Sequence, residues 1–162
     1  MQYIYMLLAV LGITAADQFT KYLTVIHIDY TYPPTTEPFI PGFLSFTHAR
    51  NTGAAFSSFE GMQWLFALLF VAFTLAVIWD FWKKSMPFTK LERWLILCIY
   101  AGGLGNMIDR VRLGYVVDMI QTDFMDFPIF NVADCFITCG CILLILHLIF
   151  FNKEFWKDEK KK

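Results

Sequence analysis

Four long apolar runs, separated by polar and proline-bearing stretches, organise this chain. The first extends from about Tyr3 to Ile26 and carries charge only at Asp17 and Lys21. The second, about 62–82, is free of charge from Met62 to Trp79. The third, about 91–111, has a charge-free centre, Leu95 to Ile108, too short to cross a bilayer alone, because a crossing helix needs about 20 residues. Asn106 and Arg110 are therefore expected at or near membrane depth. The fourth, about 132–151, carries charge only at Asp134. Between the first two runs, Pro33, Pro34, Pro38 and Pro41 precede an alternating stretch, Phe43–His48, which predicts a short strand. A second β-prone run, Tyr115–Ile120, lies between the third and fourth. This pattern predicts an all-α membrane protein. Its fold is a four-transmembrane-helix bundle with a small extracytoplasmic β element, in one integral membrane domain over residues 1–162. The outer loops are about 27–61 and 112–131.

Composition agrees with that class. Of the 162 residues 57% are hydrophobic and 19% aromatic, with mean hydropathy +0.52, where soluble domains hold about 45–50% apolar residues. The net charge of −1 says little, but its placement gives an orientation. Lys83, Lys84, Lys90 and Arg93 fall between the second and third runs, and Lys153, Lys157, Lys160, Lys161 and Lys162 follow the fourth. Cytoplasmic loops collect lysine and arginine, so both termini are expected in the cytoplasm. Trp79, Trp82, Trp94 and Trp156 would form an aromatic belt on that side. The N-terminal run lacks a basic leader and a cleavage site and reads as a retained helix. Cys98, Cys135, Cys139 and Cys141 lie in apolar runs without metal-type spacing and read as reduced fillers.

Candidate chemistry centres on carboxylates. Asp118 and Asp134 stand beside membrane-grade segments, where an ionised group is costly and is usually retained for a task. Two such groups brought together would share one proton. Each also has an ordinary reading. Asp134 is the third helical residue after Asn131, where a carboxylate suits the helix dipole and bonds back to the cap; Asp118 ends a strand or turn. Asp123 and Asp126 are equal candidates by residue type, but lie in a more polar stretch. Asn106 and Arg110 share a helix face, and Arg110 is either a steadying cation or a snorkelling one. Asp17 and Lys21, also four apart, read as an ion pair. Gly102, Gly103 and Gly105 favour close helix approach. In Ala49–Ser58, Asn51 and the backbone of residues 53–55, from Gly53 on, are positioned to contact an extended peptide, or simply form a loop ending in a helix cap. His147 reads as a packed core histidine.

Five motifs in order, Asp17–Tyr22, Arg50–Ser57, Gly102–Arg110, Gly114–Ile120 and Phe130–Phe136, together resemble lipoprotein signal peptidase, the signal peptidase II family. The resemblance covers nearly the whole chain. It implies a bacterial aspartic endopeptidase of the cell membrane, with its active site near the outer face. Such an enzyme removes the signal peptide of a diacylglyceryl-modified prolipoprotein just before the lipidated cysteine. It implies Asp118 and Asp134 as a catalytic dyad using a water nucleophile. Asp17, Lys21, Asn51, Gly53, Gly102, Asn106, Arg110 and Asn131 would support the site or bind substrate. It further implies a β-cradle in the first outer loop, inhibition by globomycin, membrane lipid as surroundings, a monomer, no nucleic acid, and no metal or cofactor. Two other classes also place carboxylates beside membrane helices. A proton-coupled transporter would put them near the midplane, whereas here they cluster at one side; an assembly factor would use the glycines for packing only.

Overall fold

A computed structural model of the protein describes residues 2–31, 34–53 and 61–157. Pro33, residues 54–58 of the Ala49–Ser58 stretch, and Lys160, Lys161 and Lys162 lie outside the described residues. The element order is α1 (Gln2–His27), β1 (Thr36–Ile40), β2 (Leu44–Asn51), α2 (Gln63–Lys83), α3 (Lys90–Leu113), β3 (Val116–Thr122), α4 (Val132–Phe150) and α5 (Lys153–Lys157). The four long helices occupy the four apolar runs. Helices α1, α2 and α4 are long and apolar enough to cross a membrane. Helix α3 is 24 residues long, but carries charge in both its first and last turns.

The bundle is apolar outside and partly polar inside. Leu7, Leu8, Leu68, Leu75, Ile142, Leu143, Ile145 and Ile149 are exposed, an outward apolar surface suited to lipid rather than water. Helix α3 packs against α1, α2 and α4. A small apolar core of Met6, Val10, Leu97 and Ala101 lies between α1 and α3. The buried polar residues gather at the two ends of this packing.

At one end stands a three-stranded antiparallel sheet in the order β1-β2-β3. Both β-prone runs of the sequence form strands, and β1 adds a third that contains Pro38 at the sheet edge, where a missing N–H is tolerated. Strand β2 reaches to Asn51, so the start of the Ala49–Ser58 stretch is strand rather than loop. Helix α2 begins after Met62, which makes no side-chain cap hydrogen bond. Gly114, with φ of 79°, ends α3 in the left-handed region and turns the chain straight into β3. Beyond β3, Phe130 pairs back on Ile120, N–H to carbonyl at 3.1 Å and 2.8 Å. That bridge brings the first turn of α4 against the strand carrying Asp118.

Candidate active site at the sheet end of the bundle

Asp118 lies in the middle of β3, opposite Ala49 of β2, while Asn51 stands opposite Val116. Asn51 and Asp118 are therefore diagonal neighbours on one sheet face, and Asn51 Nδ2 donates to Asp118 Oδ2 at 3.0 Å. Asn131 Nδ2 donates to the other oxygen, Oδ1, at 2.6 Å. Asn131 is also the N-cap of α4, in a capping box with Asp134: its side chain accepts from Asp134 N–H at 3.0 Å, and Asp134 Oδ2 accepts from Asn131 N–H at 3.1 Å. One asparagine thus touches Asp118 with its side-chain amide and holds Asp134 through its own backbone.

Asn106 completes the link. Its Nδ2 donates to Asp134 Oδ1 at 2.8 Å, and its Oδ1 accepts from Asn131 Nδ2 at 3.1 Å. Asp118 is buried, and burial drives its carboxyl upward. The bond from Asn51 opposes that, the nearby charge of Asp134 adds to it, and the bond from Asn131 and the charge of Lys21 oppose it; the pKa is pushed up to about 7. Both carboxyl groups open onto one cavity of about 810 Å³ between α2 and α4. Its walls include Phe66, Leu69, Phe70, Met107, Ile137 and Cys139, so two carboxylates face a mostly apolar space.

Behind the cavity lies a buried ionic cluster. Lys21 Nζ is 2.9 Å from Asp17 and 3.0 Å from Asp109, and donates to Asn106 Oδ1 at 2.9 Å. The pairing of Asp17 with Lys21 follows from their spacing; the third member, Asp109, does not. The glycines set the helix distances. A Cβ on Gly102 would come 2.5 Å from the Ala133 carbonyl oxygen, and one on Gly105 would overlap the Asp17 carboxylate. Any larger residue would push α3 away from α4 or α1. Arg110 grips backbone: Nη2 donates to the Gly53 carbonyl at 2.8 Å and Nη1 to the Asn106 carbonyl at 3.4 Å, with the guanidinium 4.3 Å from the Phe66 ring centre.

All ten candidate residues of the sequence thus fall at this end, in contact or one partner apart. Asp123 and Asp126 are exposed and line no part of the cavity; Asp123 accepts from Ser45 Oγ at 2.7 Å. Residue pattern alone missed Asp109 and Gln18, whose Nε2 bonds Asp109 Oδ1 at 2.9 Å. A polar residue beside Asp17 in an otherwise apolar helix was the available signal. All four cysteines are free, and Cys135 and Cys139 are among the residues that line the cavity. His147 is also more than a packed core residue: its Nδ1 lies 2.7 Å from Glu92, at the opposite end of the bundle.

The family model described as "Signal peptidase (SPase) II" matches residues 9–150 of this chain. The chain belongs to the signal peptidase II family. Lipoprotein signal peptidase of Enterococcus faecalis is 46% identical over 153 residues, covering 93% of this chain and 90% of that protein. That of Streptococcus pyogenes serotype M2 is 42% identical over 153 residues, covering 94% and 93%. A solved structure described as "Bacterial membrane enzyme structure by the in meso method at 2.3 A resolution" superposes with a TM-score of 0.83 at 34% identity, covering 93% of this chain and 90% of that one. A second, described in the same words at 1.9 A, gives 0.79 at 34% identity, covering 91% and 94%. Membership of signal peptidase II makes the chain a peptidase, and the family together with three apolar helices makes it a multi-pass membrane protein.

Proposed function

We propose that this protein is the aspartic endopeptidase that cuts the signal peptide from diacylglyceryl-modified prolipoproteins, just before the lipidated cysteine, with Asp118 and Asp134 as its catalytic pair. The observation that carries this reading is the joint opening of the two carboxyl groups onto one apolar-walled cavity, tied together through Asn131 and Asn106. Burial raises Asp118 to about 7, so the pair holds one shared proton near neutral pH. The ionised member of the pair takes a proton from a water between them as the water oxygen adds to the scissile carbonyl carbon, and the protonated member gives its proton to the carbonyl oxygen. As the tetrahedral adduct collapses, the C–N bond breaks and the first carboxyl passes its proton to the leaving amine of the lipidated cysteine. The second carboxyl takes a proton back from a hydroxyl of the adduct, which restores the shared proton.

The surroundings fit such a substrate. Asn51 and the Gly53 backbone stand where an extended peptide would pass, with Arg110 holding Gly53 in place. The cavity is walled by apolar residues of α2 and α4, and in this reading the diacylglyceryl chains stay in lipid while the peptide bond reaches the dyad. In this reading α3 is a fourth crossing and the chain is one membrane unit, with both termini cytoplasmic. The sheet is a cradle at the outer face of the bacterial cell membrane. The protein acts as a monomer without metal or cofactor, and globomycin-type inhibitors fill the cavity. The test is cleavage of a lipidated precursor by purified Asp118→Asn and Asp134→Asn proteins. Loss of cleavage in both, with normal accumulation, supports the dyad; near-parental cleavage by either overturns it.

A further inference from the structure

Two buried carboxylates outside the proposed dyad each grip one backbone amide, and the positions gripped are telling. Asp17 Oδ1 accepts from Ala133 N–H at 2.9 Å, one residue before Asp134. Asp109 Oδ2 accepts from Val117 N–H at 3.1 Å, one residue before Asp118. Lys21 joins them, with Nζ 2.9 Å from Asp17 Oδ2 and 3.0 Å from Asp109 Oδ2. Its remaining proton goes to Asn106 Oδ1 at 2.9 Å, and Asn106 in turn holds Asp134. An ammonium has three donors, and all three are committed. Gln18 occupies the other Asp109 oxygen and the Gly105 carbonyl, at 2.9 Å and 3.1 Å, which leaves Asp109 Oδ2 to Lys21 and Val117.

These grips span four elements of the fold. Asp17 and Lys21 are on α1, Asp109 on α3, Val117 on β3 and Ala133 on α4. Asp118 and Asp134 therefore stand on separate elements, and a dyad that shares a proton demands a spacing held to a fraction of an ångström. Resting on the dyad reading above, we propose that Asp17, Lys21 and Asp109 form one ionic strut that sets this spacing by gripping the backbone one residue ahead of each aspartate. Asp109 is then the positioning residue for Asp118, as Asp17 is for Asp134. A triad that merely balanced charge would have no need to bond these two amides.

The test uses the full chain in lipid nanodiscs with a diacylglyceryl-modified precursor, reading kcat, KM and melting temperature separately. Asp109→Asn removes the charge shared with Lys21, and its kcat should fall about 10–100-fold, the scale of a misplacement near 1 Å. Its KM should stay within about twofold, since no contact to substrate is lost. Asp109→Glu keeps the charge but displaces the acceptor by one methylene. It should melt near the parent and still lose kcat, and it decides the matter if the asparagine variant fails to accumulate. A kcat within about twofold of the parent in Asp109→Glu, or activity that falls only with the folded fraction, overturns the strut. Asp118→Asn and Asp134→Asn are run alongside. If they are inactive while the Asp109 variants are normal, the strut alone fails. If they remain active, the dyad fails and the strut with it.

Discussion

Helices α3 and α4 begin with the same local device and put it to different ends. Each opens with a capping box: Thr89 with Glu92 on α3, Asn131 with Asp134 on α4. Glu92 is fully buried and saturated. Its Oε2 accepts from Thr89 N–H at 2.6 Å and Asn152 Nδ2 at 2.7 Å, while Oε1 meets His147 Nδ1 at 2.7 Å. Those bonds tie α3, α4 and the start of α5 together, and Glu92 lines neither the cavity at the sheet end nor the smaller one between α1, α2 and α3. Asp134 makes the same cap bond and one more, to Asn106, and then faces open space beside a second carboxylate. A cap carboxylate surrounded by donors holds helices together. One left partly open beside another carboxylate is available for proton transfer. The difference lies in the neighbours, not in the motif.

That contrast is broken most severely by exchanging charge for amide at both boxes. Asp134→Asn, like Asp118→Asn, should lower cleavage by at least the 10²–10⁴-fold scale of acid–base catalysis, with the protein still folded. Glu92→Gln should do the opposite. Cleavage of lipidated precursor should persist, while the melting temperature drops by the equivalent of about 1–3 kcal/mol, since an amide leaves one of the buried donors unmatched. Parental cleavage by Asp134→Asn, or dead but stable Glu92→Gln, would erase the distinction.

Arg110 should fall between these extremes. Arg110→Ala removes the donor from the buried Gly53 carbonyl, at a cost of about 1–3 kcal/mol for a group left buried and unpaired, and lowers activity with it; the Asn106 carbonyl keeps its helical partner. Arg110→Lys keeps the charge without the planar fork and should recover only part of the loss. Arg112 is exposed at the end of α3, and Arg112→Ala should change the melting temperature and kcat little. Equal behaviour of Arg110→Ala and Arg112→Ala would return Arg110 to a snorkelling role.

A further test is one of pH. Asp118 is held above its ordinary 3.8, at about 7. The folded state therefore binds more protons than the unfolded one between those values. Its contribution to stability is fully present below about pH 4 and is lost as pH rises through about 7. The melting temperature of Asp118→Asn relative to the parent should thus move in the variant's favour from pH 4 to pH 8. In the parent, cleavage should decline above about pH 7 as the proton is lost. A melting difference that does not change with pH would overturn the raised pKa of Asp118.

Much of this site was legible in one dimension because its rules are local. Apolar runs of bilayer length marked the helices, alternation marked the β2 segment, and a β-prone run marked β3. Asn131-x-x-Asp134 is a capping box by spacing, and Asp17 and Lys21 are one helical turn apart. The Thr89-x-x-Glu92 box has the same spacing, but Lys90 and Arg93 beside it read as part of a charged cytoplasmic loop. Asp109 and Gln18 lie 91 residues apart in sequence, and their meeting depends on how closely α1 approaches α3.

The sequence by itself determined where helices could lie, which carboxylates stood at membrane-grade edges, and, through five ordered motifs, the family. These follow from hydrophobic length, turn chemistry and residue identity, which need no partner. Only the tertiary structure decided which aspartates face a common cavity and which are capped and closed. It alone brought Val117 and Ala133 to the two carboxylates that Lys21 joins, and left Asp123 in the open. Ionisation and proton sharing depend on burial and on distances between elements remote in the chain, and those quantities exist only once the helices and sheet have packed.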